Sequence, residues 1–158
     1  MKTPNNTQQL MVSILKQLGC QPIVNEDDTV TVTYQGEHFH LDFIGLYVHI
    51  WDLHWGEINV YDPGLPLLRE AINSTNLNFG PTVVITNPNP YDKDIMYLSS
   101  RLSLLLHPDI PEVEEYVRYS LDVFFRTKDL VRRYYQRLIN EQHLVSERRR
   151  PVGFASFN

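Results

Sequence analysis

The chain begins with a helical pattern of apolar residues and continues with alternating ones. Between residues 6 and 18 the apolar side chains recur at spacings of three and four, which places them on one face of a helix. They are Leu10, Met11, Ile14, Leu15 and Leu18. From residue 29 onward apolar and polar positions alternate, as in half-buried strands. The pattern therefore predicts a helix followed by a meander of short strands.

Two tight turns set the predicted pairing of this meander. A two-residue turn at Gln35-Gly36 places Val32 opposite Phe39 and Val30 opposite Leu41, so the apolar sets meet on one face. A second two-residue turn at Ile44-Gly45 would place His40 opposite His49 and His38 opposite Trp51. A weaker strand is predicted at residues 57–60.

The second half of the chain predicts helix, two strands and a long helix. Asp62-Pro63-Gly64 opens a helix that ends near Asn76. Strands over 82–86 and 95–107 flank the Pro-rich turn at residues 87–90, with a bend or bulge near Ser99-Ser100. The last helix is predicted over 110–140, with Asp109 as its cap and Glu112 in a capping box. A break at Thr127 is left open.

These elements define an α+β fold. It is an antiparallel sheet of about five strands with helices on one face, in the order α-β-β-β-(β)-α-β-β-α. We predict a single domain over residues 1–141 and a flexible basic tail over residues 142–158.

Composition places the chain among folded proteins of a reducing compartment. Of its 158 residues 42% are hydrophobic, and a single cysteine, Cys20, has no disulfide partner within the chain. No apolar stretch approaches the roughly 20 residues that span a bilayer. We therefore expect a cytoplasmic protein.

Acidic and basic residues are unevenly distributed along the chain. Residues 1–117 carry 5 Lys+Arg against 15 Asp+Glu, and residues 118–158 carry 9 against 4. A basic end can bind nucleic acid, but no nucleic-acid motif accompanies it. Nucleic-acid binding through the last helix and tail is therefore the weakest of three functional hypotheses.

The element order resembles that of type III secretion chaperones, and most of all that of the YbjN-like family of bacterial sensory-transduction regulators. The resemblance rests on the helix Leu67-Leu68-Arg69-Glu70-Ala71-Ile72-Asn73-Ser74-Thr75-Asn76, the strand Val83-Val84-Ile85, and the strand and helix that follow. It covers most of residues 6–140. It implies a non-enzymatic module, often dimeric, that binds proteins or peptides, and it supplies no catalytic residue.

The outer face of the meander is the first candidate site. The predicted register places His38, His40, Asp42, Tyr47, His49 and Trp51 on one face. Tyr, Trp and His are typical of protein interfaces, so we predict partner binding through His38, His40, Tyr47, His49 and Trp51. The alternative is a metal site or an enzyme that uses His38, His40, Asp42 and His49. If His40 faces His49, stability should also fall as the histidines become protonated.

Nothing else in the sequence points to catalysis or to a cofactor. Nucleophile-elbow, phosphate-loop and zinc-helix motifs do not occur. We therefore expect a non-enzymatic protein without a cofactor. Its partner would be a protein, a peptide or a second copy in a homodimer, and not a membrane.

Overall fold

The computed structural model describes residues 5–78, 80–87, 89 and 91–149. Three helices and six strands follow one another in the order that the sequence predicts. They are α1 (Asn6–Gln17), β1 (Ile23–Val24), β2 (Val30–Tyr34), β3 (Glu37–Ile44), β4 (Tyr47–Asn59), α2 (Leu65–Asn76), β5 (Thr82–Thr86), β6 (Ile95–Leu105) and α3 (Val113–Arg149). The short β1 adds a strand at the edge of the predicted meander.

Helix α1 has a well-defined cap at each end. The Asn5 side chain accepts a hydrogen bond from the backbone N–H of Thr7 at 3.0 Å, which satisfies a free donor of the first turn. At the other end Gly19 takes φ +85°. Its N–H donates to the Lys16 carbonyl and that of Cys20 donates to the Leu15 carbonyl, the Schellman arrangement that glycine favours.

The six strands form one antiparallel sheet in the order β1-β2-β3-β4-β6-β5. The predicted pairing of β2 with β3 is confirmed, because Val32 lies opposite Phe39 and Val30 opposite Leu41. Gln35 and Gly36 take φ +48° and +84°. Positive φ at both central residues is the signature of a tight hairpin turn whose twist matches the strands.

The predicted pairing of β3 with β4 is wrong by two residues. His40 lies opposite Trp51, and His49 lies opposite Asp42 instead of His40. The turn consists of Gly45 and Leu46, with Ile44 paired to Tyr47, because Gly45 takes the positive φ of +60°. His40 and His49 are therefore not directly opposed. The predicted loss of stability from protonating a facing pair has no structural basis.

Strand β4 is longer than the sequence predicts, because a bulge joins it to the weak strand at residues 57–60. Its pairing with β6 shifts between Asp52, opposite Ser100, and Gly56, opposite Leu98. The predicted irregularity near Ser99-Ser100 is thus present, but the extra residues lie in β4. His54 takes φ +55° there, and its N–H donates to Ser99 Oγ at 3.0 Å.

Helix α2 and strand β5 follow the sequence prediction and are joined by one side chain. Asn76 Nδ2 donates to the Val83 carbonyl at 2.9 Å, and the Val83 N–H donates to Asn76 Oδ1 at 2.8 Å. This amide acts like a paired strand residue and fixes the end of α2 against β5. Of the predicted Pro-rich turn, Pro88 and Pro90 lie outside the described residues.

Helix α3 differs from its prediction at both ends. Glu112 takes φ +50°, so the helix begins at Val113 and the capping box at Asp109–Glu112 does not form. The helix is continuous through Thr127, whose hydroxyl donates to the Val123 carbonyl at 2.9 Å. It is described as far as Arg149, about 55 Å from its start, so residues 142–149 of the predicted tail are helical. Residues 150–158 lie outside the described part of the chain.

The three helices contribute to the core on one face of the sheet, as predicted. One cluster joins α1 and the first half of α3 to β2, β3 and β4 through residues such as Leu15, Leu41 and Phe124. A smaller cluster joins α2 to the other half of the sheet through Leu68, Leu98 and Val131 of α3. No helix within the described ranges is long and apolar enough to cross a bilayer.

Candidate functional site

The outer face of the sheet is the face that carries neither buried cluster. Paired positions run across all six strands in a single row, in sheet order Ile23, Thr31, His40, Trp51, Arg101 and Thr82. We call the outward residues of β2, β3, β4 and β6 the outer face. On the inner side Leu41 and Ile50 are fully buried, whereas His40 and Trp51 are half-buried. The described helices therefore cover only one side of the sheet.

All of the predicted site residues lie at outward positions of this sheet. His38 and Tyr47 are exposed, and His40, Asp42, His49 and Trp51 are half-buried. The error in the β3–β4 pairing does not move them to the other face, because a shift of two residues preserves the alternation of a strand. It does change their neighbours, since Asp42 lies opposite His49 and Ile44 lies opposite Tyr47.

Arg101 of β6 joins the aromatic and histidine parts of the outer face. Its guanidinium carbon lies 5.2 Å from the centre of the Trp51 ring, within the range of a cation–π contact. Its Nη2 lies 3.0 Å from His49 Nδ1, and Ser103 Oγ lies 2.6 Å from the same nitrogen. Arginine can only donate, so His49 Nδ1 is the acceptor in its contact with Arg101. Arg101 and Ser103 are not among the predicted site residues, because the sequence does not show that β6 is the neighbour of β4.

The histidines of this face do not converge on a common point. His38 Nδ1 is hydrogen-bonded to Thr33 Oγ1 at 2.8 Å, and His49 Nδ1 is held by Arg101 and Ser103. Within the described residues no three His, Cys, Asp or Glu side chains lie close enough together to hold a metal ion. The alternative metal set of His38, His40, Asp42 and His49 therefore does not form a cluster.

A groove of about 440 Å³ opens on the outer face beside β2. Its walls include Ile23, which is 63% exposed, and Leu53, which is 48% exposed, together with His38 and His40. Strand β1 pairs only with Val30 and Thr31. The edge of β2 from Val32 to Tyr34 has no neighbouring strand among the described residues, and the groove lies directly beside it.

A buried ion pair lies on the inner side of the same strands. Lys128 of α3 is 2% exposed, and its Nζ lies 2.8 Å from Asp52 Oδ2 and 3.0 Å from Glu37 Oε1. Burial raises the pKa of the Asp52 carboxyl, and the neighbouring Lys128 opposes that rise. The sequence held a signal for this pair. Asp52 continues the inward alternation of Val48 and Ile50, and Lys128 lies four residues after Phe124 on the buried stripe.

A second groove, of about 480 Å³, lies on the helix side of the sheet next to α3. Trp55 forms one wall, fixed by a hydrogen bond of 2.9 Å from its Nε1 to Ser100 Oγ. The sequence leaves Trp55 as either a core-edge residue or a ligand-stacking one. In the structure it packs against the smaller cluster and also borders this groove.

The fold and its uncovered sheet face define a class: an α+β structure with helices on one side of an open antiparallel sheet. Among solved structures the chain is similar to the crystal structure of E. coli YbjN, described as "a putative transcription regulator". The TM-score is 0.51 over 85% of this chain and 92% of that one, at 10% sequence identity. The resemblance to YbjN-like proteins inferred from the sequence is thus confirmed at the level of the fold, whereas the resemblance to type III secretion chaperones stays a prediction.

Sequence comparison adds nothing to this likeness. No family model and no curated protein matches the sequence. The likeness to YbjN is therefore a likeness of fold alone.

Proposed function

We propose that this chain is a non-enzymatic module that binds a protein segment on the outer face of its sheet. The proposal rests on the uncovered outer face of the sheet. Exposed apolar side chains lie at both ends of this face, and Trp51 and Arg101 lie between them. Tyr47 and Leu105 lie together at one end, and Ile23 and Leu53 border the groove at the other. Aromatic residues and arginine are the types that dominate binding energy in protein interfaces.

The open edge of β2 favours an extended peptide as the bound segment. Beyond Thr31 the edge of β2 is available for backbone hydrogen bonds, because β1 ends there. A peptide that continued the line of β1 would add a strand to the sheet and place alternate side chains over the groove. The hydroxyl of Thr33 and the ring of His38 lie beside this path.

A regulatory role is compatible with such binding. The similar E. coli protein is described as "a putative transcription regulator". Applied to this chain, regulation would act through a bound partner and not through a chemical step.

Selection from a library of displayed random peptides tests the proposal with the full-length chain as bait. We expect enrichment of peptides with alternating apolar residues, and binding that weakens by about tenfold or more in Leu53→Asp and Trp51→Ala. Leu77→Asp is the matched control, because Leu77 is 84% exposed at the end of α2, away from this face.

Two results would contradict the proposal. Either no peptide is enriched over an unrelated bait, or the enriched peptides bind Leu53→Asp and Trp51→Ala as tightly as they bind the unchanged protein. Circular dichroism of each variant separates loss of binding from loss of folding.

A further inference from the structure

The groove of about 480 Å³ next to α3, called the α3 groove here, runs along a free edge of β4. Five consecutive residues of this strand, 55–59, line it. Because successive side chains of a strand point to opposite faces, a groove that touches all five lies along the edge of the strand. Strand β3 pairs with β4 only as far as Asp52, so no described strand covers this edge. The groove therefore borders backbone groups as well as side chains.

The pairing of β4 with β6 decides which backbone groups face the groove. The Val60 N–H donates to the Asp94 carbonyl at 2.8 Å. Hydrogen-bonded pairs alternate along an antiparallel ladder, so Ile58 and Gly56 also bond to β6. The N–H and the carbonyl of Glu57 therefore point to the open edge, where no described residue pairs with them. They supply one donor and one acceptor to the groove.

The floor of the groove is apolar and held in place by the core. It consists of buried side chains of the smaller cluster, namely Ile58, Leu68, Leu98 and Val131. Trp55 forms one wall, and its hydrogen bond to Ser100 Oγ fixes the ring. Small-molecule sites have volumes of roughly 300–1,000 Å³ and combine an apolar lining with a few polar groups. The α3 groove has both properties.

Arg132 brings a positive charge to the lining. Its guanidinium carbon lies 5.9 Å from the centre of the Trp55 ring. Other arginines of α3 pair with an acid one turn away on the same helix: Arg118 with Glu115, Arg133 with Asp129 and Arg137 with Glu141. Arg132 forms no ion pair with any residue in the described ranges. Its guanidinium is therefore available to the carboxylate of a ligand.

Asp62 brings a negative charge to the same lining. Its Oδ1 accepts the hydrogen bond from the Gly64 N–H at 2.7 Å, which leaves Oδ2 for a ligand. Tyr135, one turn after Arg132 on α3, lies beside this carboxylate. Burial, and then the charge of Asp62, raise the pKa of the Tyr135 hydroxyl. A cation and an anion thus border one apolar floor.

We propose that the α3 groove binds a free α-amino acid with an apolar or aromatic side chain. The side chain of the ligand lies on the floor against Trp55, and its carboxylate pairs with Arg132. Its ammonium group donates to the Asp62 carboxylate and to the Glu57 carbonyl. Charge favours a zwitterion, because a simple acid or a simple amine leaves one of the two charged side chains unmatched. This groove lies on the helix side of the sheet, apart from the outer face.

Isothermal titration calorimetry of the full chain with phenylalanine tests the proposal. Phenylpropionate, which lacks the ammonium group, and phenethylamine, which lacks the carboxylate, are the matched probes. We expect phenylalanine to bind about tenfold or more tightly than either. Equal binding of the three probes, or no heat with phenylalanine and with leucine at millimolar concentration, would overturn the proposal.

Two charge variants test which side chain holds which group of the ligand. Arg132→Gln should weaken phenylalanine and phenylpropionate by about tenfold and leave phenethylamine unchanged. Asp62→Asn should weaken phenylalanine and phenethylamine by about tenfold and leave phenylpropionate unchanged. Arg133→Gln is the matched control, because Arg133 pairs with Asp129 and lies outside the lining. If neither groove variant weakens phenylalanine, or if the control weakens it equally, the proposal is wrong.

Tryptophan fluorescence tests whether the ligand lies in the groove. The chain has two tryptophans, Trp51 and Trp55, so the emission of the Trp51→Phe variant comes from Trp55 alone. Phenylalanine should change this emission with the dissociation constant that calorimetry gives. Heat of binding without a change at Trp55 would place the ligand elsewhere and overturn the proposal. No peptide takes part, so failure here is distinct from failure of the peptide-binding proposal.

Discussion

At the scale of single residues the most consequential feature is the charge that the core holds. Lys128 and Asp52 are 2% and 1% exposed, and Lys128 Nζ lies 2.8 Å from the Asp52 carboxylate. Glu37, the second partner of Lys128, is 40% exposed and can turn toward water. Removal of Lys128 would thus leave one buried carboxylate without a counter-charge, whereas removal of both buried charges would leave none.

Lys128→Met should therefore lower the free energy of unfolding by about 3–5 kcal/mol, the usual cost of an unpaired buried charge. The double variant Lys128→Met/Asp52→Leu should recover most of that loss, because it replaces the pair with apolar side chains of similar size. Urea unfolding at neutral pH measures both. If the double variant is as unstable as the single one, the pair acts through something other than charge.

Tyr34 should make the stability of the fold depend on pH in the alkaline range. Burial, followed by the hydrogen bond of 2.7 Å to Asp122 Oδ1, raises the pKa of Tyr34 to about 12 from an ordinary 10.0. The folded state keeps the phenol proton to a higher pH than the unfolded chain. The stability that this proton contributes is therefore complete below pH 10, and it is lost as the pH rises through about 12.

Over that range the free energy of unfolding should fall by about 2–3 kcal/mol through ionisation of Tyr34. Tyr34→Phe removes it, so the variant should lose less stability than the unchanged protein between pH 9 and pH 12. Urea unfolding at several pH values compares the two, since the other tyrosines are common to both. Parallel profiles would show that Tyr34 does not titrate as its contacts imply.

At the scale of elements α3 is fitted closely against the start of α2. Gly64 is the N-cap of α2, and a Cβ atom at this position would overlap the hydroxyl of Tyr135 and meet Asp62. The Asp62 carboxylate accepts a hydrogen bond from the Gly64 N–H at 2.7 Å. The absence of a side chain at Gly64 is thus what lets α3 approach the α2 turn.

Gly64→Ala should destabilise the fold by about 1–3 kcal/mol, as overpacking does. The loss should be smaller in a Tyr135→Phe background, where the overlapping oxygen is gone. Gly56→Ala is the matched control, because its added Cβ would make only ordinary contacts with Leu98 from 3.7 Å. Thermal unfolding reports all three, and equal losses at Gly64 and Gly56 would contradict the packing argument.

At the scale of the whole molecule one helix holds the two halves of the sheet together. Phe124 of α3 lies in the cluster beneath β2, β3 and β4, and Val131 lies in the cluster with α2 and β5. Beyond Val131 the same helix continues to Arg149 with five Arg against two Glu, whereas residues 1–117 carry 15 Asp+Glu against 5 Lys+Arg. The uncovered outer face of the sheet and the exposed basic end of α3 are thus separate surfaces of the described chain.

The sequence was sufficient wherever neighbours along the chain decide the structure. Alternation and the Gln35-Gly36 turn predicted the β2–β3 pairing, and helical spacing predicted α1 and α2. The second turn was misplaced by one residue because Ile44-Gly45 and Gly45-Leu46 offer the same single glycine. The outer-face residues were still found, since that error preserves the side of the sheet on which each side chain lies.

The sequence by itself thus determined the order of the elements, the side of the sheet that the side chains of β2, β3 and the first part of β4 take, and the uneven charge. Only the tertiary structure decided which strands meet across long separations, because a pairing such as β4 with β6 spans residues that local propensity does not connect. That pairing brings Arg101 to Trp51 and His49 and shapes the bulge at His54. The approach of α3 brings Lys128 to Asp52. Contacts between distant segments depend on how whole surfaces pack, and neighbouring residues do not encode them.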